Sequence, residues 1–304
     1  MVPRKILIID DEKVQADALA KNIRAEVAYS TVFTASTEEE IKSTIEDKFY
    51  NLAILDIRMD GFSFDGISLA EEIVAINPFT KILFVSKFIP EYYGKITSLM
   101  KSGNILGFMD KKVDYTEWKT ELKVIIEQYY NDLDENPQQI SSALINLYSE
   151  VKDEEDTYRK GQRFENFIAL LFQNIGFSEI LKRVKDKSLN EVDLIVRNDI
   201  DDNFLSKFGK YILIECKNKP SEKVDKNDFI VFQNKLTATN GLAELGFIFT
   251  TSAFARTAYI EAVRESKGNV KVIFIDNPLI MGLLKSANPR ETLKRIIDEQ
   301  VKDN

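Results

Sequence analysis

Two groups of residues in this 304-residue chain have the types and spacing for chemistry. The first is Asp193 in "EVDLIV" together with Glu215 and Lys217 in "ILIECKN". Residues i and i+2 of a strand project to the same face, so Glu215 and Lys217 stand side by side. Charge at the end of an apolar strand is costly unless it is paired or used. Alone, Glu-x-Lys reads as a salt bridge at a strand end. With Asp193 on the neighbouring strand, two carboxylates can chelate a hard cation such as Mg²⁺. The lysine beside them can orient or deprotonate water and steady developing phosphate charge. Glu165, on a helix upstream, adds a further acid. The second group is Asp10, Asp11 and Glu12, then Asp56, Ser86 and Lys111. Acids clustered at one sheet edge repel each other unless a cation sits among them, and oxygen ligands suit Mg²⁺.

Composition narrows what else the chain could do. It contains no histidine, which excludes a Ser-His-Asp triad, a Cys-His pair and a His-ligated zinc site. Hydrolytic chemistry must rest on carboxylates, lysine and a hard metal ion. One cysteine rules out an internal disulfide and fits a reducing cytoplasm. The first apolar run, Ile6–Ile9, is too short for a signal peptide, and no apolar stretch is long enough to span a membrane. The net charge of −8 is uneven: residues 1–130 carry −5, residues 131–156 carry −7 and residues 157–304 carry +4. Only the last part could approach a polyanion without strong repulsion.

The elements that must position the second group lie in residues 1–130. Strands are expected at Lys5–Asp10, Thr31–Ser36, Leu52–Ile57, Lys81–Ser86 and Ile105–Asp110. Helical patterns lie between and after them at Glu12–Val27, Thr37–Phe49, Gly66–Ile76, Glu91–Ser102 and Tyr115–Tyr130. Apolar strands alternating with amphipathic helices predict a doubly wound, five-stranded parallel sheet. Its ligands bind beyond the carboxyl ends of the strands, where Asp10, Asp56, Ser86 and Lys111 fall. With "LIIDDE", "LAILDIRMDG", "LFVSK" and "GFMDKK" in this order, residues 3–130 resemble the receiver domain of bacterial response regulators. The resemblance implies that Asp56 accepts a phosphoryl group from a sensor histidine kinase or phosphotransfer protein. It also implies that Asp10, Asp11, Asp56 and the backbone carbonyl of Arg58 hold one Mg²⁺. Ser86 would bond the phosphoryl oxygen, Lys111 would pair with it, and Phe108 would be the aromatic switch residue.

Residues 131–156 read as an acidic helical linker. Ile140, Leu144, Leu147 and Val151 form one apolar stripe, which either packs on its own domain or makes a short dimerising coil. "KDEEDTYRKG" reads as a solvated segment ending at Gly161. From there to residue 304 the order is helix, paired strands, strand, helix, strand, helix, strand and closing helix, which predicts a mixed sheet with helices on both faces. Lys182, Arg183, Lys185 and Lys187 form a basic hairpin edge, a solvated edge or a phosphate contact.

The segments "GQRFENFIALLFQNIGF", "NEVDLIV", "ILIECKN" and "LGFIFTTSAFARTAYIEA" resemble the PD-(D/E)xK nuclease superfamily, and more closely its Mrr-like restriction endonuclease branch, over residues 157–276. The resemblance implies Asp193 and Glu215 as ligands of one or two Mg²⁺ ions, Lys217 as the catalytic lysine and Glu165 as an accessory acid. Gln233 is a further candidate near the site.

The expected function is therefore a cytoplasmic two-component response regulator. Phosphorylation of Asp56 controls a Mg²⁺-dependent endonuclease that cuts phosphodiester bonds, with DNA as the expected substrate, RNA as the open alternative, and a homodimer as the expected assembly. The alternative is a phosphorylation-controlled nucleic-acid or protein binding module with a degenerate nuclease fold.

Overall fold

In the computed structural model of the chain, the described residues are 4–47, 49–87, 89–92, 100, 103–111, 115–135, 137–185, 191–265 and 268–303. The chain divides into two compact units, 1–136 and 137–304.

The first unit is built on strands β1 (Arg4–Ile9), β2 (Ser30–Ala35), β3 (Leu52–Leu55), β4 (Lys81–Val85) and β5 (Ile105–Met109). They form a parallel sheet in the order β2-β1-β3-β4-β5. Helices α1 (Lys13–Glu26), α2 (Glu38–Asp47), α3 (Gly66–Ile76) and α4 (Tyr115–Glu135) cover it. Two apolar layers result. Leu7, Ile9, Leu55 and Phe84 pack with Ile41, Ile67 and Ile73, while Ile6, Ile8, Ile54 and Val85 pack with Ala16, Ile23, Leu122 and Ile126. The strands are apolar on both faces because helices lie on both, as in other parallel sheets. Beyond β4, Ile89–Tyr92 makes one 3₁₀ turn; the helix expected over 91–102 falls mostly outside the described residues. Helix α4 runs five residues past the expected Tyr130. Its last turns are tied down by Tyr129 Oη donating to Asn51 O at 2.9 Å and Tyr130 Oη donating to Lys5 O at 3.4 Å.

The second unit opens with α5 (Pro137–Asp153) and α6 (Thr157–Ile175). Leu144, Tyr148 and Val151 of α5 are buried, and Tyr148 stacks on Phe167 of α6 at 4.9 Å. Of the expected stripe, Leu144 and Val151 are buried within this unit, while Ile140 and Leu147 are half-buried. Helix α6 begins at Thr157, inside the stretch expected to be solvated. Asp156 caps it by accepting the Arg159 N–H at 2.8 Å, and Gly161 is carried within the helix.

Strands β6 (Ile180–Lys185), β7 (Glu191–Arg197), β8 (Tyr211–Lys217), β9 (Ala243–Thr250) and β10 (Lys271–Ile275) form a second sheet in the order β10-β9-β8-β7-β6. β6, β7 and β8 pair antiparallel, and β8, β9 and β10 pair parallel. Helices α7 (Lys226–Thr237), α8 (Arg256–Glu265), α9 (Asn277–Lys285) and α10 (Pro289–Asp303) complete the unit. Phe229, Phe232 and Leu236 of α7 pack with Leu213, Ile248 and Phe274. Gly246 of β9 lets α7 come this close: a Cβ there would stand 2.7 Å from the Phe232 ring. Helix α9, which has no counterpart in the expected element order, is capped by Asp276 accepting the Leu279 N–H.

Candidate functional sites

At the carboxyl edge of the first sheet, Asp10, Asp11 and Asp56 each offer an oxygen, all within 4.8 Å of one another. Asp10 follows β1 directly, as Asp56 follows β3. Lys111, just beyond β5, donates to Asp10 Oδ2 at 2.7 Å, Asp56 Oδ2 at 2.5 Å and Gln15 Oε1 at 3.0 Å. Burial raises the pKa of Asp10, against the pull of Lys111. Burial also disfavours the Lys111 ammonium, but its bonds to Asp10 and Asp56 outweigh this and its pKa is raised. Three hard carboxylate donors in one small volume fit a hard divalent cation.

The loop after β3 is built around Asp56. Its Oδ1 accepts the Arg58 N–H at 3.2 Å, and Asp11 Oδ2 accepts the Asp60 N–H at 3.0 Å. Gly66 donates its N–H to Ile57 O at 2.8 Å, and a Cβ there would collide with the Asp56 carbonyl. Ser86, fully buried, follows β4 directly and donates its N–H to Met109 O. Phe108 is half-buried and stacks on Phe84 across the β4–β5 register, with centroids 5.4 Å apart. All the residues that sequence reasoning assigned here lie at this edge or on the strands that end there. Gln15 was missed; it lies on α1, one turn beyond the acids.

In the second sheet, β7 and β8 pair as far as Leu194–Ile214. One residue further out, the Asp193 carboxylate takes the Cys216 N–H at 2.7 Å. A side chain thus stands in for a strand carbonyl, where the two strands part. Burial, then the charge of Glu215, raises the pKa of Asp193 to about 7; Glu165 adds to the rise, and the Cys216 N–H and Lys217 oppose it. The Cys216 thiol is pushed up by burial and then by the charges of Asp193, Glu165 and Glu215. Glu165 therefore belongs to the same acidic field, reached from α6.

Glu215 is buried, and each of its oxygens has its own ammonium partner. Lys217 Nζ lies 2.9 Å from Oε1 and Lys235 Nζ 2.9 Å from Oε2. Lys235 is fixed in turn by donating to Glu191 O at 2.8 Å. Lys217 also faces Asp228 Oδ1 at 3.5 Å. Asp228 is held by a capping box with Asp225 at the start of α7. Burial disfavours the Lys217 ammonium, but Glu215 and then Asp228 outweigh this and its pKa is raised. Lys217 is therefore charged at neutral pH. It is suited to steadying negative charge on a phosphodiester, and not to removing a proton from water as a neutral base.

Asp193 and Glu215 are hard oxygen donors of the kind Mg²⁺ takes. Among the described residues, however, Glu165, Asp193 and Glu215 do not form a three-acid group as close as that in the first unit. A cation on Glu215 would share its carboxylate with Lys217 or displace Lys235. Lys235 and Asp228 were missed in the sequence because both come from α7, whose position over β8 is a tertiary fact. Gln233 lines a small cavity with Phe229, Ala262 and Val272 between α7, α8 and β10, away from Glu215. Lys182 donates to Asn166 on α6 at 3.2 Å, and the side chains of Arg183, Lys185 and Lys187 lie outside the described residues.

Comparison with known proteins matches one family in each unit. Residues 6–123 match the response regulator receiver domain family, and residues 159–284 match the restriction endonuclease family. The chain joins a receiver domain to a restriction-endonuclease domain. Similar solved structures include a CheY-like receiver domain protein from Methanospirillum hungatei, at 20% identity and a TM-score of 0.35, covering 42% of this chain and 98% of that one. The regulator TrrA from Thermotoga maritima, solved with Mg²⁺ and a beryllium fluoride, is 26% identical with a TM-score of 0.31, covering 40% and 98%. The receiver domain of NtrX from Brucella abortus is 24% identical with a TM-score of 0.33, again covering 40% and 98%. No curated protein matches the chain. Among the described residues, no helix is long and apolar enough to cross a membrane.

Proposed function

We propose that this protein is a two-component response regulator in which phosphorylation of Asp56 controls a Mg²⁺-dependent endonuclease acting on DNA. The observation that carries the nuclease half is the meeting of Asp193, Glu215 and Lys217 where β7 and β8 part. In the receiver, an Asp56 oxygen attacks the phosphorus of a histidine-kinase or small-molecule donor. The donor's bond to phosphorus breaks, and an acyl phosphate forms. Lys111 sits between Asp10 and Asp56 and pairs with the added charge. In the nuclease, a divalent cation would be held by Asp193 and Glu215 and supplies Lewis acidity to the phosphodiester. Lys217 steadies the charge that develops on the phosphate. Asp193 must lose its proton to hold the cation, and burial with the charges of Glu215 and Glu165 raises the pH at which it does so. Water adds to phosphorus as one ester P–O bond breaks, and the proton lost by water ends on the leaving oxygen.

The pairing of both Glu215 oxygens with lysines favours a second reading, a phosphorylation-controlled binding module that holds nucleic acid without cutting. A plasmid-nicking assay with Mg²⁺ separates the two, run with and without a phosphodonor on wild type, Lys217→Ala, Asp193→Ala and Glu215→Ala. Cutting that needs Mg²⁺ and all three residues supports the enzyme. Plasmid binding without cutting at any Mg²⁺ concentration supports the module. Cutting that persists in chelator or in the three variants refutes the site.

A further inference from the structure

Asn218 follows Lys217 directly, and the polar atoms of its side chain are all engaged within the second unit. Its Nδ2 donates to the carbonyls of Val151 at 3.1 Å and Lys160 at 3.0 Å, and its Oδ1 accepts from the Thr251 hydroxyl at 2.8 Å. Val151 lies in the last turn of α5, where carbonyls have no partner within the helix. Lys160 lies in the first turn of α6. The joint between these helices is also bridged by Arg163 and Glu154 at 3.0 Å. Thr251, just past β9, donates its N–H to the carbonyl of Lys217 itself. One amide thus clasps the α5–α6 joint to the end of β8, next to the lysine that meets Glu215.

The geometry points to Asn218 as a positioning residue for Lys217, through which a displacement of α5 reaches the nuclease site. This inference rests on the nuclease reading of the second unit and names how that site is regulated. Helix α5 is joined to α4, the last helix of the receiver, by the single residue Asn136. A signal passed along the chain from the receiver therefore enters the second unit at α5. The Val151 end of α5 is not free to move without Asn218, because the N–H that Asn218 donates to Val151 would then be left unpaired in a half-buried place. Leu144, Tyr148 and Val151 are buried inside the unit, so a shift of α5 is carried by contacts within one copy of the chain.

The test uses the full chain with two substitutions. Asn218→Asp keeps the shape and the Thr251 partner but turns an acceptor toward the two carbonyls. Tyr148→Phe, on the same helix as Val151, removes the Tyr148 bond to Asn277 of α9 (2.9 Å) and leaves the clasp alone. Amide hydrogen exchange over residues 151–161 and 214–219 is measured beside single-turnover cleavage of duplex DNA in Mg²⁺, with and without beryllofluoride as the phosphoryl mimic. Asn218→Asp should speed exchange in both segments. It should also slow cleavage about 10–100-fold at saturating DNA, with half-saturation moved less than about twofold, as expected when a reacting group is misplaced by about an ångström. The response to beryllofluoride should be lost. Tyr148→Phe should leave exchange at 214–219 and the cleavage rate as in wild type. The inference is overturned if exchange at 214–219 is unchanged in Asn218→Asp, if cleavage is unchanged while exchange speeds up, or if Tyr148→Phe slows cleavage equally. A wild type that cuts nothing refutes the nuclease reading instead, and the exchange data then judge the clasp alone.

Discussion

Asp193 accepts the backbone N–H of Cys216 at 2.7 Å, one residue beyond the last register pair of β7 and β8. The carboxylate is thereby drawn between two strands and out of water, beside Glu215. That is why its pKa stands near 7.

The first prediction follows from this burial. The folded pKa of Asp193 lies above its unfolded value, so between about pH 4 and 7 the folded state keeps a proton that the unfolded state releases. Stability therefore falls as pH rises through that window, and the whole penalty is present above it. Asp193→Asn cannot ionise, and its amide oxygen can still accept from Cys216. Calorimetry should show the variant close to wild type at pH 4 and more stable at pH 8, by up to about 2–4 kcal/mol. A stability difference independent of pH would mean that Asp193 titrates normally.

The second prediction concerns the receiver. Asp56→Asn should abolish labelling by a small phosphodonor, since an amide oxygen is no nucleophile here. Lys111→Ala should still be labelled, but more slowly, because the ammonium that neutralises the incoming charge is gone. Mass spectrometry of the intact chain reads both. Labelling of Asp56→Asn at the wild-type level would place the acceptor elsewhere.

Much of this was legible in the sequence. Strand ends were placed within two residues at Asp10, Asp56, Ser86 and Lys111, because a parallel sheet forces apolar runs to stop where the polar edge begins. The Asp193 and Glu215-x-Lys217 pattern was legible for the same reason: charge inside an apolar run stands out. What stayed hidden depends on the neighbour across space. In one dimension Lys235, Asp228 and Asn218 look like any polar residues that face water. They reach the site only because Gly246 lets α7 lie close over β9, and because α5 and α6 meet at the end of β8. The start of α6 was also missed, since Asp156 is one acid in a run of four and nothing local marks it as a cap.

The third prediction tests Gly246. Alanine there would drive a methyl group to 2.7 Å from the Phe232 ring and 3.1 Å from Leu236, both buried. The strain should cost about 1–3 kcal/mol. Because α7 carries Asp228 and Lys235, cleavage should fall by more than the loss of folded protein explains. Denaturant unfolding gives the first number and active-fraction kinetics the second. Wild-type stability in Gly246→Ala would mean that α7 does not pack this tightly.

The fourth prediction concerns the second lysine on Glu215. Lys235→Met keeps much of the stem and removes the ammonium from Oε2. A hydrogen bond to a charged group contributes about 1.5–3 kcal/mol, so its loss to a competing cation should matter. In an Asp11→Asn background that weakens the receiver site, Mn²⁺ titration should show roughly tenfold tighter binding for Lys235→Met. Weaker binding would show that Lys235 holds Glu215 in the geometry the cation needs, rather than competing for it.

The last prediction separates proton from metal at the nuclease site. Asp193 must be ionised to take a cation, and its proton competes with that cation for the same oxygens. Cleavage should therefore rise with pH up to about pH 7, with its midpoint moving to lower pH as Mg²⁺ is raised. The pKa of Lys217 is raised, so the ammonium persists through the alkaline range and the profile should be flat from about pH 8 to 9.5. Single-turnover rates over pH 5.5–9.5 at two Mg²⁺ concentrations measure both features. A midpoint that ignores Mg²⁺ would remove Asp193 from the metal's ligands. A rate that keeps climbing between pH 8 and 9.5 would show Lys217 working as a neutral base, against the two carboxylates that hold its charge.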